Sequence, residues 1–325
     1  MDHPERPERL QAIETALHEA GLLRRCHNLP AREASDEEIR RAHSEPLLLS
    51  LRERLGEAAA QGKSGYLDPD TYYGPSSLEA ALLAAGSAVD LARKVLECEG
   101  DNGFSLCRPP GHHATRDTSM GFCLLNNVAI AAAAAQAQGA RVAIVDFDVH
   151  HGNGTEDIFA EDPQVLYIST HQYPLYPGTG SAGFTGRGAG KGATINIPLP
   201  ARSGDRVYRR AFEDIVVPAL TRFRPDLLLV SAGFDGHLRD PLAEMALSSR
   251  GFGMMTRLLL AAQPRLAAVL EGGYHLASLG ESAVRFVAAL LGDADPDAGS
   301  PDAEDAAMPA GAQEVMDKVR RVHGL

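Results

Sequence analysis

The chain has 325 residues, a formal net charge of -12, 44% hydrophobic and 23% charged residues, and no tryptophan. An acidic balance argues against nucleic acid as a partner, because phosphate contacts need clustered Lys and Arg; it suits cationic partners or plain solubility. No signal-peptide pattern opens the chain and no apolar run approaches the roughly 20 residues of a membrane helix, so no membrane partner is expected.

Four cysteines, Cys26, Cys98, Cys107 and Cys123, form no CxxC pair and are expected to be reduced, mostly buried thiols of a cytoplasmic protein. Length alone allows two domains, but large α/β sheets use such a length for one. Residues 1–292 are expected to form one domain, and 293–325 an acidic linker with a short final helix.

The opening His3-Pro-Glu-Arg-Pro-Glu-Arg9 is too proline-rich for a helix interior, and helical periodicity runs over residues 10–20. Ser35 and Glu38 have the spacing of a capping box, and a second helix is expected over 46–59. Residues 66–75 are rich in turn formers and are expected to be an irregular surface loop. A long apolar helix capped by Ser76 and Glu79 should then end near Cys98.

From Gly103 the pattern becomes strand, loop, helix, repeated. Short apolar runs at 104–107, 142–146, 165–169, 194–197, 227–231 and 266–270 read as strands, with helices over 126–138, 205–223, 249–262 and 276–291. Such alternation implies parallel strands with right-handed crossovers, hence a single-domain, open, doubly wound α/β sheet flanked by helices. Beyond Gly292 the acidic, Pro-rich stretch lacks apolar periodicity and reads as a solvated linker, and a helix over 312–322 either docks back or stays loose.

The stretch Val142-Ala-Ile-Val-Asp146-Phe-Asp148-Val-His150-His151-Gly-Asn153 organises the rest. Its first half has the continuous apolar character of a strand buried on both faces, and its second half delivers polar groups to the carboxyl end, where open α/β sheets bind ligands. Strand alternation places Asp148 and His150 on one face, able to grip one ion, with Asp146 beneath them. Asp235 stands directly beyond another buried strand. A lone histidine is more often packed structurally than a ligand, but two adjacent pairs, His112-His113 and His150-His151, with a third strand-end acid outweigh that.

These residues carry a family resemblance. His3-Pro-Glu-Arg-Pro-Glu-Arg, Arg108-Pro-Pro-Gly-His-His, Gly121-Phe-Cys-Leu-Leu-Asn-Asn, Asp146-Phe-Asp-Val-His-His-Gly-Asn-Gly-Thr, Tyr176-Pro-Gly-Thr-Gly, Ser231-Ala-Gly-Phe-Asp and Glu271-Gly-Gly-Tyr occur in this order. The chain resembles the zinc-dependent deacetylases that include histone deacetylases and acetylpolyamine amidohydrolases, of arginase-like α/β fold, and most of all the class II branch and its bacterial relatives.

The resemblance implies one catalytic Zn2+ held by Asp148, His150 and Asp235, with an open position for water and a substrate carbonyl. It implies that Asp146 backs His112 and Asn153 backs His113. A carboxylate stabilises imidazolium better than a carboxamide does, so His112 should be the more basic and His113 the general base and later acid. Tyr274 matches the tyrosine that polarises the carbonyl.

Ser169, with Asp146, Asp148 and His150, corresponds to positions around a structural potassium ion. Phe122 of the Gly121-Phe122 pair and Tyr176 match the two walls of the acyl-lysine channel. Asp70 matches a rim acid that accepts peptide N–H groups, and Arg9 an inner-channel residue. His151 receives no role.

The family pattern also has a short strand and loop ahead of His3, so the expectation is either a start-site effect or a sheet edge left uncovered at some cost in stability. Leu242, after Asp240-Pro241, stands where polyamine-dedicated relatives can carry a Glu gatekeeper, which favours an acyl-lysine protein or peptide over an acetylpolyamine; Glu244 nearby weakens that preference. Association into a homo-oligomer is compatible with this reading. A binuclear ureohydrolase of the same fold is disfavoured by His151 and Asn153, and a non-catalytic acyl-lysine binding module by Tyr274 and the histidine pair.

Overall fold

A computed structural model describes residues 3–97, 102–296 and 308–325. Helix α1 (Glu8–Glu19) buries Arg9, Ile13 and Leu17, an i, i+4 stripe that faces inward. Ser35 and Glu38 make both bonds of the capping box ahead of α2 (Asp36–Ala42), and α3 (Glu45–Gln61) follows. The loop expected next carries regular structure: β1 (Gly65–Tyr66) pairs antiparallel with β2 (Tyr72–Tyr73). Asp68 makes this possible, its Oδ1 accepting from the amides of Asp70 (3.1 Å) and Thr71 (2.6 Å) and so closing the turn with a side chain. Helix α4 is described over Ser77–Glu97, and its expected end at Cys98 lies outside the described residues.

Alternation then proceeds through β3 (Gly103–Ser105), α5 (Asn127–Gln136), β4 (Val142–Asp146), α6 (Asn153–Phe159), β5 (Val165–Gln172) and β6 (Thr194–Leu199). Next come α7 (Asp205–Ala211), α8 (Val217–Phe223), β7 (Leu227–Ala232), α9 (Ser249–Ala262), β8 (Leu266–Leu270), α10 (Leu276–Leu290) and α11 (Ala312–His323). One continuous helix is expected over 205–223, yet a π-helical turn over Phe212–Val216 separates α7 from α8. Pro218 lies in the first turn of α8 and has no N–H to continue an unbroken ladder, and a π turn is one way to absorb that.

The main sheet is parallel throughout in the order β3-β8-β7-β4-β5-β6. Strand β4 is central. Its Val142 and Ile144 pack with α2 to α5, whereas Ala143 and Val145 pack with α1 and α7 to α11, so alternate residues of one strand enter two separate cores. Burying each of the Val and Ile side chains stabilises the fold by about 1.5–3 kcal/mol. Chain order reverses between β4 and β7, since β5 and β6 extend to one side and β8 and β3 to the other. The carboxyl ends of β4 and β7 therefore flank the switch point, the crevice in which open α/β sheets bind ligands.

Helix α11 docks, burying Ala312, Met316 and Val319 in the α1-side core. Of the acidic linker, residues 297–307 lie outside the described residues. Its first acids are tied back, Asp293 to Arg25 at 2.7 Å and Asp295 to Arg257 at 3.5 Å. Cys107 and Cys123 are buried free thiols, while Cys26 is exposed rather than buried as expected. Among the described residues no helix is long and apolar enough to cross a membrane.

Candidate active site

Strand β4 ends at Asp146, so Asp148 and His150 do not share a face by strand alternation as the sequence suggests. A turn brings them together instead. Asp146 Oδ1 accepts the Asp148 amide (3.1 Å), Asp148 Oδ1 accepts the His150 amide (2.9 Å), and Asp235 Oδ1 reaches across from the end of β7 to accept the Val149 amide (2.9 Å). Asp148 also accepts the Gly272 amide at Oδ2 (2.7 Å), so backbone bonds hold these carboxylates while their remaining lone pairs stay available inside the site. His150 Nδ1 lies 3.2 Å from Asp148 Oδ1 and 3.1 Å from Asp235 Oδ2, and the three residues offer ligand atoms all within 4.8 Å of one another.

Burial opposes a charge on His150, but the hydrogen bonds and charges of Asp148 and Asp235 outweigh it and raise its pKa to about 10. Asp235 is pushed upward by burial and by the Asp148 charge. His150 Nδ1 and the oxygens of two carboxylates thus face one another at the place a cation would take. Two carboxylates and an imidazole converging in a buried site are a donor set that fits a divalent metal such as zinc.

The His112-His113 pair arrives on the loop after β3, with ring centroids 4.0 Å apart. His112 Nδ1 donates to Asp146 Oδ2 at 3.0 Å, and its Nε2 lies 3.7 Å from Asp148 Oδ1. Burial lowers the pKa of His112, but the Asp146 and Asp148 charges hold it well above the usual histidine value. His113 Nδ1 lies 2.8 Å from Asn153 Oδ1, and Asn153 Nδ2 returns to the His113 carbonyl at 3.4 Å. That pairing orients the carboxamide, fixes the Nδ1–H tautomer and leaves Nε2 with a free lone pair. Burial and the His112 and His150 charges push His113 well below its ordinary pKa. Two neighbouring imidazoles are thereby driven apart: His112 has the Asp146 and Asp148 charges to offset its burial, whereas His113 faces a neutral carboxamide and the charges of two other imidazoles.

Glu271 was not singled out from the sequence, yet it seats this pair: at the end of β8 its Oε2 accepts the amides of Gly111 (2.6 Å) and His112 (3.1 Å). Asp240 was likewise missed. Its Oδ2 accepts the Tyr274 amide at 2.7 Å and its Oδ1 the Leu242 amide at 3.1 Å, so one carboxylate ties the tyrosine to the Leu242 turn. In sequence both look like ordinary acids; only their burial distinguishes them.

Tyr274 stands 5.8 Å, centroid to centroid, from Phe122, and burial raises its hydroxyl well above the usual tyrosine pKa, keeping it a donor. Arg9 is fully buried; it donates to the carbonyls of Gly273 (2.6 Å) and Glu271, and its guanidinium lies 4.9 Å from the Tyr274 ring centre. Phe122 has φ +68°, an uncommon conformation for a bulky residue, and a Cβ on the preceding Gly121 would sit 2.5 Å from His113 Cδ2. Tyr176 approaches from the other side, 5.1 Å from His113 and 6.3 Å from His150. Asp70 lies in the β1–β2 turn, and Phe122 donates its amide to the adjacent Thr71 Oγ1 at 3.2 Å. Ser169 is buried opposite Asp146 in the β4–β5 register, with its Oγ 2.9 Å from His171 Nδ1.

Residues 3–290 match the Histone deacetylase domain family. Histone deacetylase 15 of Arabidopsis thaliana is 41% identical over 97% of this chain and 57% of its own length. Polyamine deacetylase HDAC10 of Homo sapiens is 44% identical over 91% of this chain and 46% of its own length, so the chain spans about half the length of these relatives. A crystal structure of the HDA15 HD domain superposes with a TM-score of 0.91 at 38% identity, covering 99% of this chain and 88% of that one.

Proposed function

We propose that this chain, which belongs to the histone deacetylase family, is a zinc-dependent amidohydrolase that removes acyl groups from lysine side chains of proteins or peptides. The observation that carries the reading is the buried Asp148–His150–Asp235 group beside two histidines with opposite pKa shifts. Asp148, His150 and Asp235 would hold the zinc, and three protein donors leave a position open. When bound, zinc supplies a Lewis acid that polarises the amide carbonyl and acidifies a water.

The chain's own residues do the rest. His113 accepts the proton of the attacking water at Nε2, held in that tautomer by Asn153. His112, kept protonated by Asp146, places positive charge beside the anion that develops. Tyr274 donates its hydroxyl to the carbonyl oxygen as that oxygen becomes negative. The C–N bond then breaks, and His113 returns its proton to the departing amine, leaving a carboxylate and a free lysine.

Phe122 and Tyr176 would flank the aliphatic stem, Arg9 brace the inner end beneath Tyr274, and Asp70 receive backbone N–H groups at the rim. Leu242 favours acyl-lysine; exposed Glu244 and the likeness to a polyamine deacetylase support acetylpolyamines as the second reading. A potassium ion among Ser169, Asp146, Asp148 and His150 belongs to the same proposal, since Ser169 donates to His171 and keeps its acceptor capacity. Buried free thiols at Cys107 and Cys123 suit a reducing cytoplasm.

The test is an assay of purified protein on acetyl-lysine peptides and acetylpolyamines with metal analysis. One zinc per chain, activity lost to a chelator and restored by zinc, and neither zinc nor activity in Asp235→Ala are expected. Zinc bound with neither substrate hydrolysed would reject the reading.

A further inference from the structure

His151 follows a metal-ligand candidate in the same turn, but its side chain faces away and is buried among other groups. Its Nε2 lies 3.2 Å from Glu156 Oε2 on α6, and its Nδ1 2.7 Å from Thr179 Oγ1. A carboxylate only accepts, so Nε2 carries the hydrogen, Nδ1 has the lone pair, and the Thr179 hydroxyl donates to it. Asn196 Nδ2 donates to the same Glu156 oxygen at 2.6 Å, which fixes that carboxylate from β6.

Thr179 belongs to the loop between β5 and β6 that carries Tyr176. The loop is anchored where it begins: the Gln172 amide donates to Val149 O at 2.9 Å and the Tyr173 amide to Leu199 O at 2.8 Å. Seven residues further on, its Thr179–Gly180 segment sits against two tilted imidazoles, His151 and His171, with centroids 4.8 Å apart. His171 Nε2 donates to Gly180 O at 3.0 Å. Gly180 has φ +86°, and a Cβ there would lie 2.4 Å from His171 Nε2 and 2.7 Å from His151 Cδ2, so no bulkier residue fits this seat. The two ends of the turn that carries His150 and His151 thus face two different tasks: one imidazole faces Asp148 and Asp235, and the next holds the segment whose ring packs 5.1 Å from His113.

We propose that His151 and Thr179 form a clamp that sets the position of the Tyr176 wall relative to the metal-ligand turn, which makes His151 a positioning residue for the aliphatic stem of the substrate. This rests on the deacetylase reading for its substrate and on the hydrogen bonds above for its mechanics. Loosening the clamp lets Tyr176 move outward, which weakens contact with the stem equally in the ground and transition states. Such a change raises KM and leaves kcat nearly alone.

The test uses the full chain carrying Thr179→Val, which keeps shape and removes the hydroxyl, Thr179→Ser, which keeps the hydroxyl, and His151→Ala. Three quantities are measured: bound zinc, kcat and KM on an acetyl-lysine peptide, and amide hydrogen exchange across residues 173–180. For Thr179→Val, KM rises about fivefold, the loss of one ordinary hydrogen bond, with one zinc per chain, kcat within about twofold and faster exchange in 173–180. Thr179→Ser restores wild-type values, and His151→Ala exceeds Thr179→Val in exchange. Unchanged exchange in both Thr179→Val and His151→Ala, or a fall in kcat and zinc with KM unmoved, would overturn the clamp. If the wild type hydrolyses neither substrate, the deacetylase reading fails, and exchange alone still decides whether the clamp exists.

Discussion

The inner site and the outer channel are built by different means. Around the metal-ligand turn, buried carboxylates accept backbone amides from segments far apart in sequence: Asp235 from Val149 at 2.9 Å, Asp148 Oδ2 from Gly272 at 2.7 Å, Glu271 from Gly111 at 2.6 Å. Charge-assisted bonds in a low-dielectric interior are strong and leave little freedom. The channel wall and rim rely on rings and hydroxyls at the surface, with Tyr66, Tyr72 and Tyr176 exposed to 43%, 44% and 39%. On the proposed reading, loops just beyond the strand ends carry the bond-breaking groups, held in place by those carboxylates, and the outer loops set what reaches them. Substitutions inside should therefore act on kcat, and substitutions outside on KM.

The largest effect that sharpens this contrast is expected at His113. Removing a general base typically lowers the rate about 10²–10⁴-fold, so His113→Ala should lose that much in kcat with KM nearly unchanged and zinc retained. Steady-state kinetics on an acetyl-lysine peptide checks it. A His113→Ala protein that keeps wild-type kcat while His112→Ala is inactive would exchange the two roles and break the assignment by carboxylate and carboxamide.

A second effect tests how far the rigidity of the inner site depends on buried neutral groups behind it. His43 is 1% exposed; its Nδ1 donates to Thr115 O at 2.9 Å and its Nε2 accepts the Asn126 amide at 2.8 Å, tying the segment after His113 to the start of α5. Burial, more than any other influence, lowers its pKa to about 4. An unfolded chain binds this proton below about pH 6.5 and the folded one only near pH 4, so the contribution is full above pH 6.5 and is lost as pH falls toward 4. That loss is about 3 kcal/mol, roughly a hundredfold in the folding equilibrium. Urea unfolding at pH 7.5 and pH 5 should show a steeper fall for wild type than for His43→Gln; parallel falls would remove His43 from the account.

Much of the inner site was legible because a strand buried on both faces cannot hide its composition: Val142 to Val145 is uninterruptedly apolar, and the Asp and His residues after it have no reason to be there except a ligand. What misled was geometry. Period-two alternation was extended past Asp146, where the strand has ended and side-chain-to-backbone bonds take over. Asp240, Glu271 and Thr179 stood inside or beside the motifs but received no role, because each acts on a partner distant in the chain and no local pattern marks which acid or hydroxyl will reach one. The β1–β2 pair was missed because Asp68, a turn residue, closes the hairpin rather than breaking it. The outer channel was legible only through family likeness, since Phe122, Tyr176 and Asp70 have no spacing that announces a wall.

The smallest effect concerns the rim, where charge and hydrogen bonding can be separated. Asp70 shares its turn with Asp68; burial and its neighbour's charge raise its pKa, and Tyr176 experiences both acids. A cationic peptide approaching this edge meets negative charge before it meets the channel. Asp70→Asn keeps the shape and an acceptor oxygen and removes one charge. Coulomb attraction at an exposed rim is modest and screened over about 10 Å at 0.1 M salt, so KM for a lysine-rich acetylated peptide should rise about threefold at low ionic strength, with kcat constant. Near 1 M salt, where screening shortens to about 3 Å, variant and wild type should converge. A KM difference that survives high salt would mean that Asp70 acts by accepting peptide N–H groups in a geometry the carboxamide cannot reproduce. That outcome would place it with the directional carboxylates of the inner site rather than with the soft outer wall.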